Sequence, residues 1–544
     1  MTKKIATLIV SADDANLFIQ DNQKSKIALD YSISLSTDKK IDYFFKKIPN
    51  NIETLPISLA RCWYRNNAQI DNHEDKFSVG MILEKRICFM ASNLIKFYFG
   101  FSRLANKYDI IEIPLNYPKY LNSIIEIFKD KIVFISEQKF SQDFETFFNK
   151  RAILKRIKVN KFSWILRILQ KPFMKYLVDK VMVFPDWTYS KYRHKNYIYQ
   201  NKINIFKSFY FKNIDKPVNI KTPMINTHAI ENIFVKFNIN DKDKKPLMHL
   251  MTNMINYESA VSLASINQQY NVMKELIDYY KPRNVIIPDD GEYSWYNVLM
   301  QITNKLKIDY TTILDGYLTY LDTEHIKVIE DGKTPLVDRY ATMGTINHKL
   351  IGDVFPKFNR VLIRSPILSH ISNATKTINQ YDALIMMPIP NTMNPNSRWD
   401  MRNRYVIDLV NLLKKHNFNK IAIKIKPGPN LNDTDFLVDY FKKNYIGNIE
   451  FLKGYAYDAI AMSKIVIGQL GTTTYEALVM EKPYYIYEPI YCGLNNISAS
   501  NSIANMKHIA RDIDALSMNL INKDTINLPI SQLIDGEEMS LRIV

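Results

Sequence analysis

The sequence predicts an α/β protein with parallel sheets, and three observations carry that expectation. Short apolar, β-branched runs recur along the 544 residues, each followed by a helical pattern. Hydrophobic residues make up 47% and charged residues 23%, a globular balance that excludes disorder, collagen-like fibre and coiled coil for the bulk of the chain. Only 14 glycines occur, too few for a glycine-rich repeat architecture. The length exceeds one ordinary core and suits two large domains or three small ones.

Taken in order, the candidate strands of the first part are 5–10, 109–113, 131–135, 181–184, 248–251, 284–287, 310–314, 339–343 and 360–363. After Pro366 the text turns polar, with Ser369, Asn373, Thr375 and Thr377, and reads as a linker. A second series follows at 383–387, 420–425, 448–452, 464–467 and 484–487, and the stretch from about Ser500 onward reads as helices. The expected domains are residues 1–368, residues 380–510, and C-terminal helices over 511–544 that pack back on the first domain. Two unequal α/β domains suggest a ligand cleft between them, with ligands at the carboxyl ends of strands. Architecture alone, however, fits a two-domain α/β protein of any function.

The apolar run Ile5–Val10 follows a basic start but meets Asp13 and Asp14 at once, which favours a first strand over a signal peptide. The apolar stretch around Met81–Ala105 is broken by Glu84, Lys85, Arg86, Lys96 and Arg103, so no run of roughly 18 apolar residues appears. Cys62, Cys88 and Cys492 are distant and odd in number. They offer neither a disulfide framework nor a zinc spacing and fit a reducing cytosol.

Charge points to an anionic partner. Lys and Arg total 72 against 55 Asp and Glu, a net +17. Between Lys150 and Lys216 stand seventeen Lys and Arg against only Asp179, Asp186 and Asp215, interleaved with Trp164, Phe173, Tyr176, Trp187, Tyr189, Tyr192 and Tyr197. Basic residues among aromatics suit an anionic membrane surface, a polyanionic glycan or nucleic acid, and also a plain solvated face. No nucleic-acid module accompanies the segment, so membrane or acceptor binding is the favoured reading and nucleic acid is not expected as a partner.

Three segments carry chemistry. In Lys464–Pro483 a buried strand ends at Gly468, a glycine turn follows, and Thr472, Thr473 and Thr474 open a helix carrying Glu476. Free N–H groups and the positive dipole end make such a start an anion site, with Gly471 allowing close approach. Simple N-capping is the bland alternative, but it needs one hydroxyl rather than three. In Lys420–Pro429 a strand with Lys424 and Lys426 on one face empties into Pro427-Gly428-Pro429. A strand-end Lys426 is placed to neutralise a leaving phosphate, or is a solvated edge lysine. In Asn284–Trp295 an apolar strand ends in Asp289-Asp290-Gly291, where one carboxylate is available as a general base and the other as a helix cap. Asp and Gly also suit such a turn for local geometry alone.

In chain order, Asp289-Asp290-Gly291, Lys426-Pro427 and Thr472-Thr473-Thr474 resemble GT-B-fold bacterial sialyltransferases, which share a D/E-D/E-G motif in the N-terminal domain, then a His-Pro motif and a Ser/Thr pair in the C-terminal one. More broadly, about residues 281–489 look like capsule and lipopolysaccharide transferases that handle CMP-activated nonulosonic acids (sialic, pseudaminic or legionaminic acid) or the related Kdo. The resemblance implies a GT-B-like fold of two Rossmann-like domains facing a central cleft. It implies transfer of a nonulosonic acid from a CMP-sugar to a glycan or lipid-linked acceptor hydroxyl, at the inner face of the cytoplasmic membrane. Asp289 would be the base, Asp290 its support, and the threonines the grip on the CMP phosphate; in a retaining, Kdo-type transfer an aspartate would instead be the nucleophile. Lys424, Pro427, Gly428, Gly454, Tyr455, Gly471 and Glu476 complete the expected donor-binding set. Lys426 stands where the family has histidine, so electrostatic stabilisation is expected there rather than ready acid catalysis.

No cofactor and no metal is expected. Asp433-Thr434-Asp435 reads as a helix start, and the nine histidines lack ligand spacing. A CDP-glycerol-dependent polymerase, a UDP-sugar 2-epimerase and a non-catalytic glycan-binding scaffold remain alternatives on the same scaffold.

Overall fold

The computed structural model describes residues 3–9, 24–29, 41–45, 52, 54–64, 78–116, 121–139, 181–183, 224–287, 294–313, 339–354, 359–365, 368, 371, 379–388, 401–425, 435–444, 448–489, 508–526 and 528–536. Their strands form three parallel sheets. The first contains β1 (Ile5–Ile9), β2 (Lys24–Ala28), β3 (Asp42–Tyr43), β4 (Ile110–Asn116) and β5 (Ile132–Lys139), ordered β3-β2-β1-β4-β5. The second contains β6 (Val181–Val183), β7 (Asn284–Ile287), β8 (Asp309–Ile313), β9 (Arg339–Met343) and β10 (Arg360–Ile363), running in sequential order. The third contains β11 (Tyr381–Met386), β12 (Ile421–Lys424), β13 (Ile449–Leu452), β14 (Ser463–Gly468), β15 (Tyr484–Tyr487) and β16 (Ile509–Ala510). Its order, β13-β12-β11-β14-β15-β16, is the doubly wound Rossmann order, with a switch point between β11 and β14. The chain is therefore the α/β protein the sequence predicts, with successive parallel units as a GT-B-like fold requires. Residues before 368 carry two sheets.

Alternation along β7 shows how the layers stack. Val285 joins the core of the first sheet and its helices, whereas Ile286 joins a second core with Ala341, Met343 and Ile363. That second core continues into the third sheet through Leu384, Ala422 and Val466. Strands buried on both faces read as short apolar runs, which is why β7 and β15 have the predicted limits.

Two expectations are corrected. The stretch from about Ser500 onward, read as helices, also holds the strand Ile509–Ala510, which pairs with β15. Residues 248–251, predicted as a strand, lie within the helix Asp241–Tyr280. Leu247, Leu250, Met251, Met254 and Ile255 are its buried positions there, a helical spacing that a four-residue window cannot distinguish from a strand. The helix starts with Asp241 and Asp243 in its first turn and ends at Lys281 in the left-handed region, φ 47°. It packs against Val79–Lys107, whose Ser78 side chain caps the Met81 N–H at 3.2 Å. Between the two helices, Arg86 meets the buried carboxylate of Glu258. No helix among the described residues is long and apolar enough to cross a membrane.

The C-terminal segment returns to the second sheet. Helix Ile530–Ile534 packs on helix Gly344–Val354 and on helix Thr472–Val479. Asp535 accepts the Thr345 N–H at 2.7 Å and also meets the Thr345 hydroxyl, capping a helix 190 residues earlier. Gly344, at φ +72°, lies so close to this segment that a Cβ there would sit 2.6 Å from the Leu533 carbonyl oxygen.

Candidate functional site

The carboxyl ends of β11 to β15 lie on one edge because all five strands are parallel and in register: Met386 pairs with Lys424, Lys424 with Leu452, and Gly468 with Ile486. The turn after β14 leaves the sheet next to β11, at the switch point. Gly468 is required there. A Cβ would collide with the Tyr484 hydroxyl and come 2.9 Å from Met386 Cβ. Gly471 is extended backbone, and a Cβ on it would meet nothing within 4 Å, so the approach to the helix start is open among the described residues.

The threonines divide. Thr474 is fully buried, and its hydroxyl accepts the Gly471 N–H at 3.1 Å, which makes it the reciprocal cap of its own helix. Thr472 and Thr473 are half-buried. Burial pushes the Tyr484 hydroxyl up, while the hydroxyls of Thr474 and Thr473 beside it act the other way. Of the three threonines expected at the site, Thr474 thus turns inward, and Thr472 and Thr473 remain half-buried at the helix start.

Beneath the turn lie charges. Lys424 is buried, and its ammonium donates to the Ile425 carbonyl at 2.6 Å. Desolvation pulls its pKa down, and Glu476 and Asp458 oppose that shift. Glu476 is buried in helix Thr472–Val479, which packs against helix Ala456–Ala461 carrying Asp458. Gly454 and Tyr455 follow β13 on the same edge. Gly454 is at φ +87° with open space around it, and the exposed Tyr455 stacks on Tyr457 at 5.2 Å and 9°. Asp289, Asp290, Lys426, Pro427 and Gly428 lie outside the described residues, as does the basic 150–216 segment apart from β6.

Sequence reasoning missed Glu488. It follows β15, is 1% exposed, and accepts the Leu470 N–H at 2.8 Å and the Gln469 side-chain N–H at 3.0 Å. The Tyr484 hydroxyl donates to the Gln469 carbonyl at 2.7 Å. The turn is therefore pinned from below by two side chains of one strand. Its signal was present in the sequence: an apolar strand, Tyr484–Tyr487, that stops on an acid.

No family model matches the chain, and no curated protein matches it significantly. Among solved structures, the UDP-GlcNAc 2-epimerase of Methanocaldococcus jannaschii in complex with UDP-GlcNAc and UDP is 13% identical, with a TM-score of 0.39 over 67% of this chain and 97% of that one. Another structure of that enzyme gives 11%, 0.37, 67% and 97%. The Neisseria meningitidis UDP-GlcNAc 2-epimerase bound to UDP-GlcNAc is 12% identical, with a TM-score of 0.33 over 63% of this chain and 91% of that one.

Proposed function

We propose that this chain is a nucleotide-sugar enzyme that holds its donor on the carboxyl edge of the third sheet and transfers a nonulosonic acid from CMP to a glycan hydroxyl. One observation carries the reading: the Gly468–Gly471 turn, open at Gly471 among the described residues, and its threonine-fronted helix stand at the switch point of a doubly wound sheet. The first N–H groups of such a helix, at Thr472 and Thr473, complement a phosphate. The order of the Asp289-Asp290-Gly291, Lys426-Pro427 and threonine motifs supports a CMP donor. In this reading Asp289, supported by Asp290, takes the acceptor proton. Lys426 offsets the charge on the departing phosphate, Thr472 and Thr473 grip it, and Tyr455 flanks the nucleotide. The basic 150–216 segment supports work at an anionic membrane surface on a lipid-linked acceptor.

Incubation with CMP-, CDP- and UDP-activated donors tests it. The reading expects CMP release that depends on an added acceptor and is lost, with at least tenfold weaker CMP binding, when Thr472→Ala and Thr473→Ala are combined. Epimerisation of a UDP-sugar without acceptor would replace it with the 2-epimerase reading. Nucleotide release confined to CDP-glycerol would replace it with a polymerase.

A further inference from the structure

A neutral side chain would pin the Gln469–Gly471 turn as well as Glu488 does, at lower cost. Both of its bonds there come from uncharged donors, a backbone N–H and an amide. Placing a carboxylate in that position removes a charge from water, and among the described residues no cation is hydrogen-bonded to it. Burial accordingly pushes Glu488 up to about 7, against the Leu470 and Gln469 donors and Arg511. Among the described residues, the charged or titratable groups facing it are Arg511, at the end of β16, and Tyr484 on its own strand, with Glu476 beyond Tyr484. Arg511 gives its guanidinium to the Glu488 backbone carbonyl at 3.4 Å. The acid thus sits directly under the turn that the proposed function assigns to an anion.

We propose that Glu488 is the positioning residue of this turn and takes up a proton when an anion binds above it. The inference rests on the phosphate-site reading. A phosphate placed over an ionised Glu488 meets a like charge, and a proton from solvent on its carboxyl removes the repulsion. The Leu470 N–H keeps one oxygen as acceptor. The other becomes an O–H that donates to Gln469 once that amide turns its oxygen inward. The turn keeps its shape in both states.

Titration of the full chain with CMP by calorimetry, in buffers of different ionisation enthalpy, tests the inference. Near pH 7 the wild type takes up roughly half a proton more per CMP than Glu488→Gln does, a difference that cancels the phosphate's own titration. Glu488→Gln binds CMP within about threefold of the wild type at pH 6, and Glu488→Ala binds at least about tenfold more weakly. Equal proton uptake in the wild type and Glu488→Gln, or wild-type affinity in Glu488→Ala, overturns the inference while CMP binding itself upholds the site. A wild type that binds neither CMP, CDP nor UDP overturns the site and the inference with it.

A ligand-free arm checks the acid alone. A carboxyl raised on folding contributes stability below its unfolded value that is lost as pH rises toward about 7. The melting temperature of the wild type, relative to Glu488→Gln, therefore falls between about pH 5 and 7. Parallel curves overturn the role.

Discussion

Replacing Gly468 by alanine tests the packing that shapes the candidate site. The new methyl enters the space of the Tyr484 hydroxyl and comes 2.9 Å from Met386 Cβ. Tyr484 is fully buried and hydrogen-bonded to the Gln469 carbonyl at 2.7 Å, so its ring has no free direction of retreat. Overpacking of this kind costs about 1–3 kcal/mol. Displacing the hydroxyl also breaks its bond to the half-buried Gln469 carbonyl, for about 0.5–1.5 kcal/mol more. Alanine returns up to about 1 kcal/mol by restricting the unfolded chain. The net loss expected is on the order of 2 kcal/mol, read as a lower urea midpoint at unchanged slope in circular dichroism. Tyr484→Phe removes the clashing atom. The double variant should therefore be more stable than the sum of the single changes by at least about 1 kcal/mol. Strict additivity, or a Gly468→Ala variant within about 0.5 kcal/mol of the wild type, would refute the reasoning.

Two further outcomes follow from buried charge and from capping. Arg86→Met leaves the Glu258 carboxylate buried without its cation and should cost about 3–5 kcal/mol, with part regained on adding Glu258→Gln; chemical denaturation of the four variants of the cycle measures both. Asp535→Ala removes the cap from helix Gly344–Val354 and should cost about 1 kcal/mol. Hydrogen exchange should quicken at the start of that helix and in Ile530–Ile534, and unchanged protection in both would count against the docking described.

What could be read from the sequence depended on how much of the signal is local. β7 and β15 declare themselves because both faces are buried. β2 does not, since Lys24, Ser25 and Lys26 occupy its first three positions and only Ile27 and Ala28 enter the core. β3 and β16 are two residues each, below any periodicity. Whether 248–251 was strand or helix turned on neighbours a full turn away, and the return of 530–536 to Gly344 on contacts 190 residues apart. At the site, the glycine turn and the threonine-fronted helix were legible as a motif. The inward turn of Thr474 and the support from Tyr484 and Glu488 depend on β15 lying beside β14, which pairing alone decides.

The clasp at Asp535 has a consequence for biosynthesis. A ribosome that has delivered Gly344–Val354 must add the whole of the third sheet before the carboxylate that closes this helix emerges. Until then the Thr345 N–H relies on water, and the Leu533 position in the shared core is unfilled. Maturation of the second unit is thus timed by the tail, and a nascent chain stalled before Leu533 carries a completed third sheet on an unfinished neighbour.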